Sequence, residues 1–260
     1  MAVVISSGVL NTKQPHIGWR AITGTVTASS AVSGYEADRA VAVHTYDGWR
    51  PATIPANWQI DAGSAVPVSY CGIGAHDAGT VGATVSVEYW DGSDWVEVAT
   101  DTPEDDTALF FLFPSVTAQV WRVVVADGQA TLGHIRFGAV SVWPRLSGYL
   151  GTPIDESRQL TYRQNSSIAG DFLARNVEGK GLQFEIEIQN LSEEFRQGEW
   201  RAFNNFLDAG SGTFFVAPKP SQYPLEIAYA WPSDKLRAER TTPNYRISGA
   251  VALRCGGYAE

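Results

Sequence analysis

The chain has 260 residues, 44% hydrophobic and 18% charged, a balance that suits one or two globular domains and excludes a disordered polymer. Aromatics reach 12%, with nine Trp, an enrichment typical of β-structure, where flat rings pack on pleated faces. The formal charge of −9 lacks the Lys/Arg field that would neutralise phosphates, so sequestration of nucleic acid is excluded; the sign suits a wall that DNA passes without adhering.

In chain order, Met1 to Ser7 has no basic n-region of a secretory signal, and no apolar run reaches the roughly 18–20 residues of a membrane span. A soluble chain made in the cytoplasm, without membrane insertion, is expected. Residues 1–143 read as strands and turns. Trp58-Gln59-Ile60 is an aromatic-led strand that ends in an Asp61-Ala62-Gly63 turn. Val81 to Val98 forms a hairpin, in which Val85, Val87 and Tyr89 alternate with Ser86, Glu88 and Trp90, and Asp91-Gly92-Ser93-Asp94 turns the chain. Ala108–Phe113 is apolar on both faces, as in a central sandwich strand; Val120–Val125 and Leu132–Trp143 supply further strands. Trp49, Trp58 and Trp95 are expected to pack within this sandwich.

Ligand candidates lie in the intervening loops: Tyr46, Asp47 and Arg50 in one, His76 and Asp77 in another. An aromatic face beside planar polar groups is what a sugar site needs. Glu104-Asp105-Asp106 lacks the punctuated spacing of a calcium loop and reads as a solvated charge run. The four histidines have no metal-ligand spacing, and Cys71 and Cys255 read as buried free thiols. No metal, cofactor or catalytic residue is expected; the hydrolase elbow, the zincin helix and the phosphate loop are all missing as motifs.

Pro144 to Pro153, rich in Pro, Gly and Ser, marks a boundary between a first domain, 1–145, and a second, 146–260. The polar, weakly periodic stretch from Arg158 to Arg175 reads as a long loop. Leu182–Ile188 alternates as a half-exposed strand. A helix over 192–209 follows, capped by Asn190 or Ser192, with Phe195, Ala202, Phe203, Phe206 and Leu207 on its core face and Gly210 as its stop. Gly198 weakens it, while Glu199 and Trp200 point elsewhere, toward a neighbouring subunit. Strands at Thr213–Ala217, Leu225–Trp231 and Tyr245–Arg254 complete the half.

Two resemblances rest on these motifs. The order Tyr35–Ala40, Asp47-Gly48-Trp49-Arg50, Trp58–Gly63 and Val85–Trp95 resembles the discoidin (coagulation factor 5/8 type C) jelly roll, the galactose-binding-like fold of many carbohydrate-binding modules. Leu132–Gly138 with its Trp-Pro-Arg exit, Asn165-Ser166-Ser167, Gly170–Leu173, the strand and helix, Gly212–Val216, Tyr223-Pro224 and Ala228–Trp231 resemble tail proteins of long-tailed bacteriophages, of the distal or minor tail type. Those resemblances imply a mainly β chain: an N-terminal jelly-roll sandwich, then a tail-tube-like barrel or sandwich with one helix. They imply a structural virion protein of the tail tip, not an enzyme. It would form a homo-oligomeric ring, a hexamer or else a trimer, that joins tail tube to tip proteins, with DNA passing only through its channel. The tail-protein resemblance makes the stretch from Arg158 to Arg175 an extended arm or hairpin instead of a long loop. Ring contacts would come from Arg158, Tyr162, Arg163, Asn165 and Trp200, and the outer jelly roll would meet host-surface carbohydrate. The alternative is a lectin-type module that recognises host glycans.

Overall fold

A computed structural model describes residues 3–144, 154–210, 212–233, 237–240 and 249–258. Its strands are β1 (Val3–Ile5), β2 (His16–Gly18), β3 (Thr25–Ala28), β4 (Ala56–Ile73), β5 (Thr84–Trp90), β6 (Trp95–Asp101), β7 (Leu109–Ala126), β8 (Ile135–Gly138) and β9 (Ser141–Val142), then β10 (Arg158–Ser166), β11 (Phe172–Leu191), β12 (Phe214–Ala217), β13 (Ala228–Pro232), β14 (Arg237–Arg240) and β15 (Gly249–Gly257). The architecture is mainly β, two largely antiparallel sheets with one substantial helical segment.

The first sheet is a sandwich made by two bent strands. β4 and β7 pair along almost their whole length, but the register shifts between Asp61 and Val66 and again between Val68 and Tyr70. Before the corner, β3 flanks β4 and the β5–β6 hairpin flanks β7; beyond it, β8 flanks β4 and β1 runs parallel to β7. The strand expected to stop at Asp61–Gly63 therefore turns a corner and continues. Gly63 takes φ +73° and its N–H donates to the Asp61 carboxylate at 2.8 Å, so the turn chemistry is real but is spent on a bend. Likewise the expected strands Ala108–Phe113, from Leu109 on, and Val120–Val125 are parts of one strand, β7. Trp58, Trp121, Phe111, Phe113, Phe137 and Val85 fill the space between the two layers. Trp49 and Trp58 are fully buried, and Trp95 is half-buried under the Arg122 guanidinium at 3.9 Å.

The second sheet runs β10-β11-β15-β13-β12-β2-β9, with β14 also on β15. Two of its strands, β2 and β9, come from before residue 145 and flank the sandwich in sequence. All of the sandwich except β1 is thus threaded between two neighbouring strands of the other sheet. Residues 145–153 of the expected boundary lie outside the described residues, as do 245–248 of the expected last strand.

Helix α1 (Ala78–Val81) is a single turn in the sandwich. The main helix is α2 (Glu193–Phe195), a π turn (Arg196–Trp200) and α3 (Arg201–Asp208) in continuous succession. Ser192 caps it, its hydroxyl accepting from the Phe195 N–H at 3.1 Å, and Gly198 lies in the π turn. Phe203 and Leu207 are buried against Trp143, Phe214 and Ile186, with Phe195, Ala202 and Phe206 packed on the same cluster. Trp200 is a correction: it is 3% exposed and lies edge-on to Trp143. Residues 200, 203 and 207 share one helical face, so the core stripe is wider than the sequence reading drew it. Glu199 is also turned inward, taking Arg20 at 2.5 Å and the Ser141 hydroxyl.

A third apolar cluster joins the two sheets: Tyr70, Phe110 and Leu112 of the sandwich against Phe215, Ala217 and Tyr229. Polar groups tie the same seam. The buried Arg136 donates to the Thr213 carbonyl at 2.6 Å and its hydroxyl at 2.9 Å, and Tyr70 Oη donates to the Arg20 carbonyl at 2.9 Å. The layers approach so closely that a Cβ on Gly72 would stand 2.5 Å from the Phe215 ring.

Candidate functional site

Two regions carry chemistry that packing does not absorb. The first is the loop after the one-turn 3-10 helix Ala37–Val41. His44 and Tyr46 stack with ring centroids 4.1 Å apart, and Tyr46 is 81% exposed, so one aromatic face is offered to water. Asp47 lies beneath, 2.9 Å from His44 Nδ1 and accepting from Arg39 Nη1 at 3.2 Å. An exposed ring beside a carboxylate, an imidazole and a guanidinium can stack on an apolar face and hydrogen-bond around it.

This loop is held from inside. His134 Nδ1 donates to the Ala42 carbonyl at 2.8 Å, and Tyr229 Oη donates to the Val43 carbonyl at 2.6 Å. Tyr229 belongs to the second sheet, so both parts of the molecule fix the loop's base. Burial, with Arg136 adding to it, pushes His134 down to about 3, and it remains a neutral donor.

The structure brings Tyr46 and Asp47 together and adds His44 and Arg39, which the sequence reading missed. The signal was available in the spacing of His44 and Asp47 around an aromatic residue. Arg50 is half-buried, and its backbone N–H donates to the Tyr35 carbonyl at 3.2 Å. His76 and Asp77 are corrected to scaffold roles. His76 is buried; Nε2 donates to the Thr107 carbonyl at 2.7 Å and Nδ1 accepts from the Ala78 N–H at 3.2 Å. Asp77 accepts from the Thr131 N–H at 2.6 Å. Burial holds His76 below its ordinary value, and backbone groups already occupy both nitrogens. The acidic run is also less solvated than expected, because Asp106 is buried and accepts from the Thr80 N–H and hydroxyl. Among the described residues, no group of His, Cys, Asp and Glu is placed to hold a metal ion, and no helix is long and apolar enough to cross a membrane.

The second region is the β10–β11 ribbon. Residues 172–181 of β11 pair with β10 alone, whereas Leu182 onward also pairs with β15. All of β10 is exposed, as is β11 from Phe172 to Lys180, so the ribbon has no layer on either face. Arg158, Tyr162, Arg163 and Asn165 all lie on it. Tyr162 is stacked under Arg175 at 3.7 Å, and Arg163 pairs with Glu178 at 3.1 Å. Apolar side chains accompany them: Leu160, Ile168, Phe172, Leu173 and Val177 are exposed.

No family model matches the chain, and no curated protein does. Among solved structures, the chain is similar to chitosan-binding module 1 of a chitosanase/glucanase from Paenibacillus sp. IK-5, at 26% identity over 46% of this chain and 97% of that one, with a TM-score of 0.40. It is similar to a pectin-binding carbohydrate-binding module at 18% identity over 48% of this chain and 96% of that one, with a TM-score of 0.41. It is also similar to the family 32 module of C. perfringens NanJ, solved with galactose, at 17% identity over 45% and 97%, with a TM-score of 0.41.

Proposed function

We propose that the chain is a self-assembling structural subunit that carries a glycan-facing jelly roll. Its finer identity is a ring protein of a bacteriophage tail tip, of the distal tail type, found in the virion between tail tube and tip proteins. One observation carries the assembly reading: the β10–β11 ribbon exposes apolar residues on an unsupported two-stranded projection. Such a ribbon is marginal in water by itself, and its open edge and uncovered faces are satisfied when another chain lies on them. Copies joined head to tail through different surfaces form a ring when the rotation between them closes. The acidic balance of the chain suits a channel through which DNA passes without sticking. Assembly, and not catalysis, is the mechanism. Sizing the full chain in solution tests this reading, which expects a discrete homo-oligomer that falls to monomers when residues 160–179 are replaced by a tight turn. A wild-type chain that stays monomeric at every concentration tried would count against it.

A second reading, a lectin-type module acting alone, is favoured by a different observation. The His44/Tyr46/Asp47/Arg39 cluster is complete within the sandwich and needs no second copy. Here Tyr46→Ala is expected to abolish retention on a glycan array without lowering the melting temperature, since Tyr46 is exposed. Equal retention of both proteins would remove this cluster as the sugar site.

A further inference from the structure

The tip of the ribbon is apolar and rigid. Ile168, Phe172 and Leu173 are 110%, 63% and 62% exposed, although loop tips are ordinarily polar. The turn that holds them is fixed by its own backbone. The Ser167 N–H donates to the Asp171 carbonyl at 2.9 Å, the Asp171 N–H to Ser167 Oγ at 3.0 Å, and Gly170 takes φ +90°. A preorganised apolar tip loses little conformational freedom when it is buried.

Elsewhere the molecule has a half-open pocket of about 300 Å³ at the seam between sandwich and helix. Ile22, Val26, Val41, Trp58, Ile60 and Phe206 are among its walls. Its one histidine, His134, is neutral, and Arg136 in its wall spends its guanidinium on the Thr213 carbonyl and hydroxyl, so the remaining lining is mainly apolar. A pocket of this size and lining suits one or two apolar side chains better than water.

Charge favours contact between the ribbon of one copy and the body of another. Between residues 158 and 180 the ribbon carries Arg158, Arg163, Arg175 and Lys180 against Asp171 and Glu178, a cationic excess on a chain whose net charge is −9. Ribbon and body are therefore electrostatically complementary between copies.

We infer that the ribbon tip of one copy, led by Ile168 and Phe172, seats in the apolar pocket walled by Val41 and Phe206 on the next copy. The contact joins two different surfaces, so it propagates head to tail, unlike a two-fold dimer, and closes as a ring when the rotation between successive copies divides a full turn. This inference rests on the assembly reading above and names the two surfaces that carry it.

Cysteine cross-linking of the full chain tests it. Ile168→Cys and Val41→Cys both alter exposed side chains, and the native Cys71 and Cys255 are buried and stay out of the reaction. Mild oxidation of an equimolar mixture is expected to give a covalent dimer that neither variant forms alone. Ile168→Asp is expected to raise the dissociation constant of the assembly about tenfold or more, as loss of a buried apolar anchor does. An oligomer that forms without this cross-link overturns the seat while leaving assembly intact; a monomeric wild-type chain overturns both. Binding to anionic lipid vesicles that Ile168→Asp abolishes, with no cross-link in the mixture, assigns the tip to a lipid surface and also overturns the seat.

Discussion

His134 shows how a single buried residue links packing to solution behaviour. Its ring lies against Tyr229 and Phe215, with centroids 5.0 and 6.2 Å away, and donates to the loop carbonyl of Ala42. Burial, then Arg136, depresses it from 6.5 to about 3. Between those values the unfolded chain binds a proton that the folded chain refuses. The stabilisation is therefore complete above about pH 6.5 and is lost as pH falls toward 3, by about 1.4 kcal/mol per unit for this group. His16 and His76, lowered chiefly by burial, act in the same sense. The urea midpoint is expected to decline already below about pH 6.5, with a shallower slope in His134→Asn; an unchanged slope would contradict this assignment. Gly72 tests the seam between the sheets. Gly72→Ala puts a methyl 2.5 Å from Phe215, and the midpoint is expected to drop by the equivalent of about 1–3 kcal/mol. Residues of this kind were only partly legible in the sequence. The aromatic and carboxylate of Tyr46–Asp47 were visible because loop chemistry is local, but whether His76 faced a ligand or a carbonyl depended on Thr107, which is distant in sequence.

At the scale of elements, the local signals were reliable and the connections between them were not. The β5–β6 hairpin closes where alternation and the Asp-Gly turn placed it, with Trp90 opposite Trp95. The helix begins at its cap, and Ser192→Ala is expected to lower stability by about 1 kcal/mol in thermal or urea unfolding, with no change in assembly. The bent strands β4 and β7 read as several pieces, because an Asp-Gly corner and a proline inside a strand look like ends until the partner strand is seen continuing past them. The ribbon's polar, weakly periodic residues left a long loop and an arm equally open, and only the tail-protein resemblance implied the arm. Its exposed apolar tip acquired meaning only when both faces were found bare.

For the whole molecule, two β-rich halves were expected in series. The structure instead threads the sandwich, β1 excepted, between β2 and β9 of the second sheet and cements the seam with Phe110, Phe215 and Tyr229. Strands as short as His16–Gly18 and Ser141–Val142 carry almost no periodicity of their own, so only their partners in the second sheet disclose where they belong. The ribbon then extends beyond the strands that pair with β15 as a two-stranded element of its own. Sedimentation velocity of the full chain beside the variant lacking residues 160–179 tests the central claim most directly. A closed oligomer of fixed size for the full chain and a folded monomer for the variant are predicted. A full chain that sediments as a monomer at all concentrations, indistinguishable from the variant, would contradict the account.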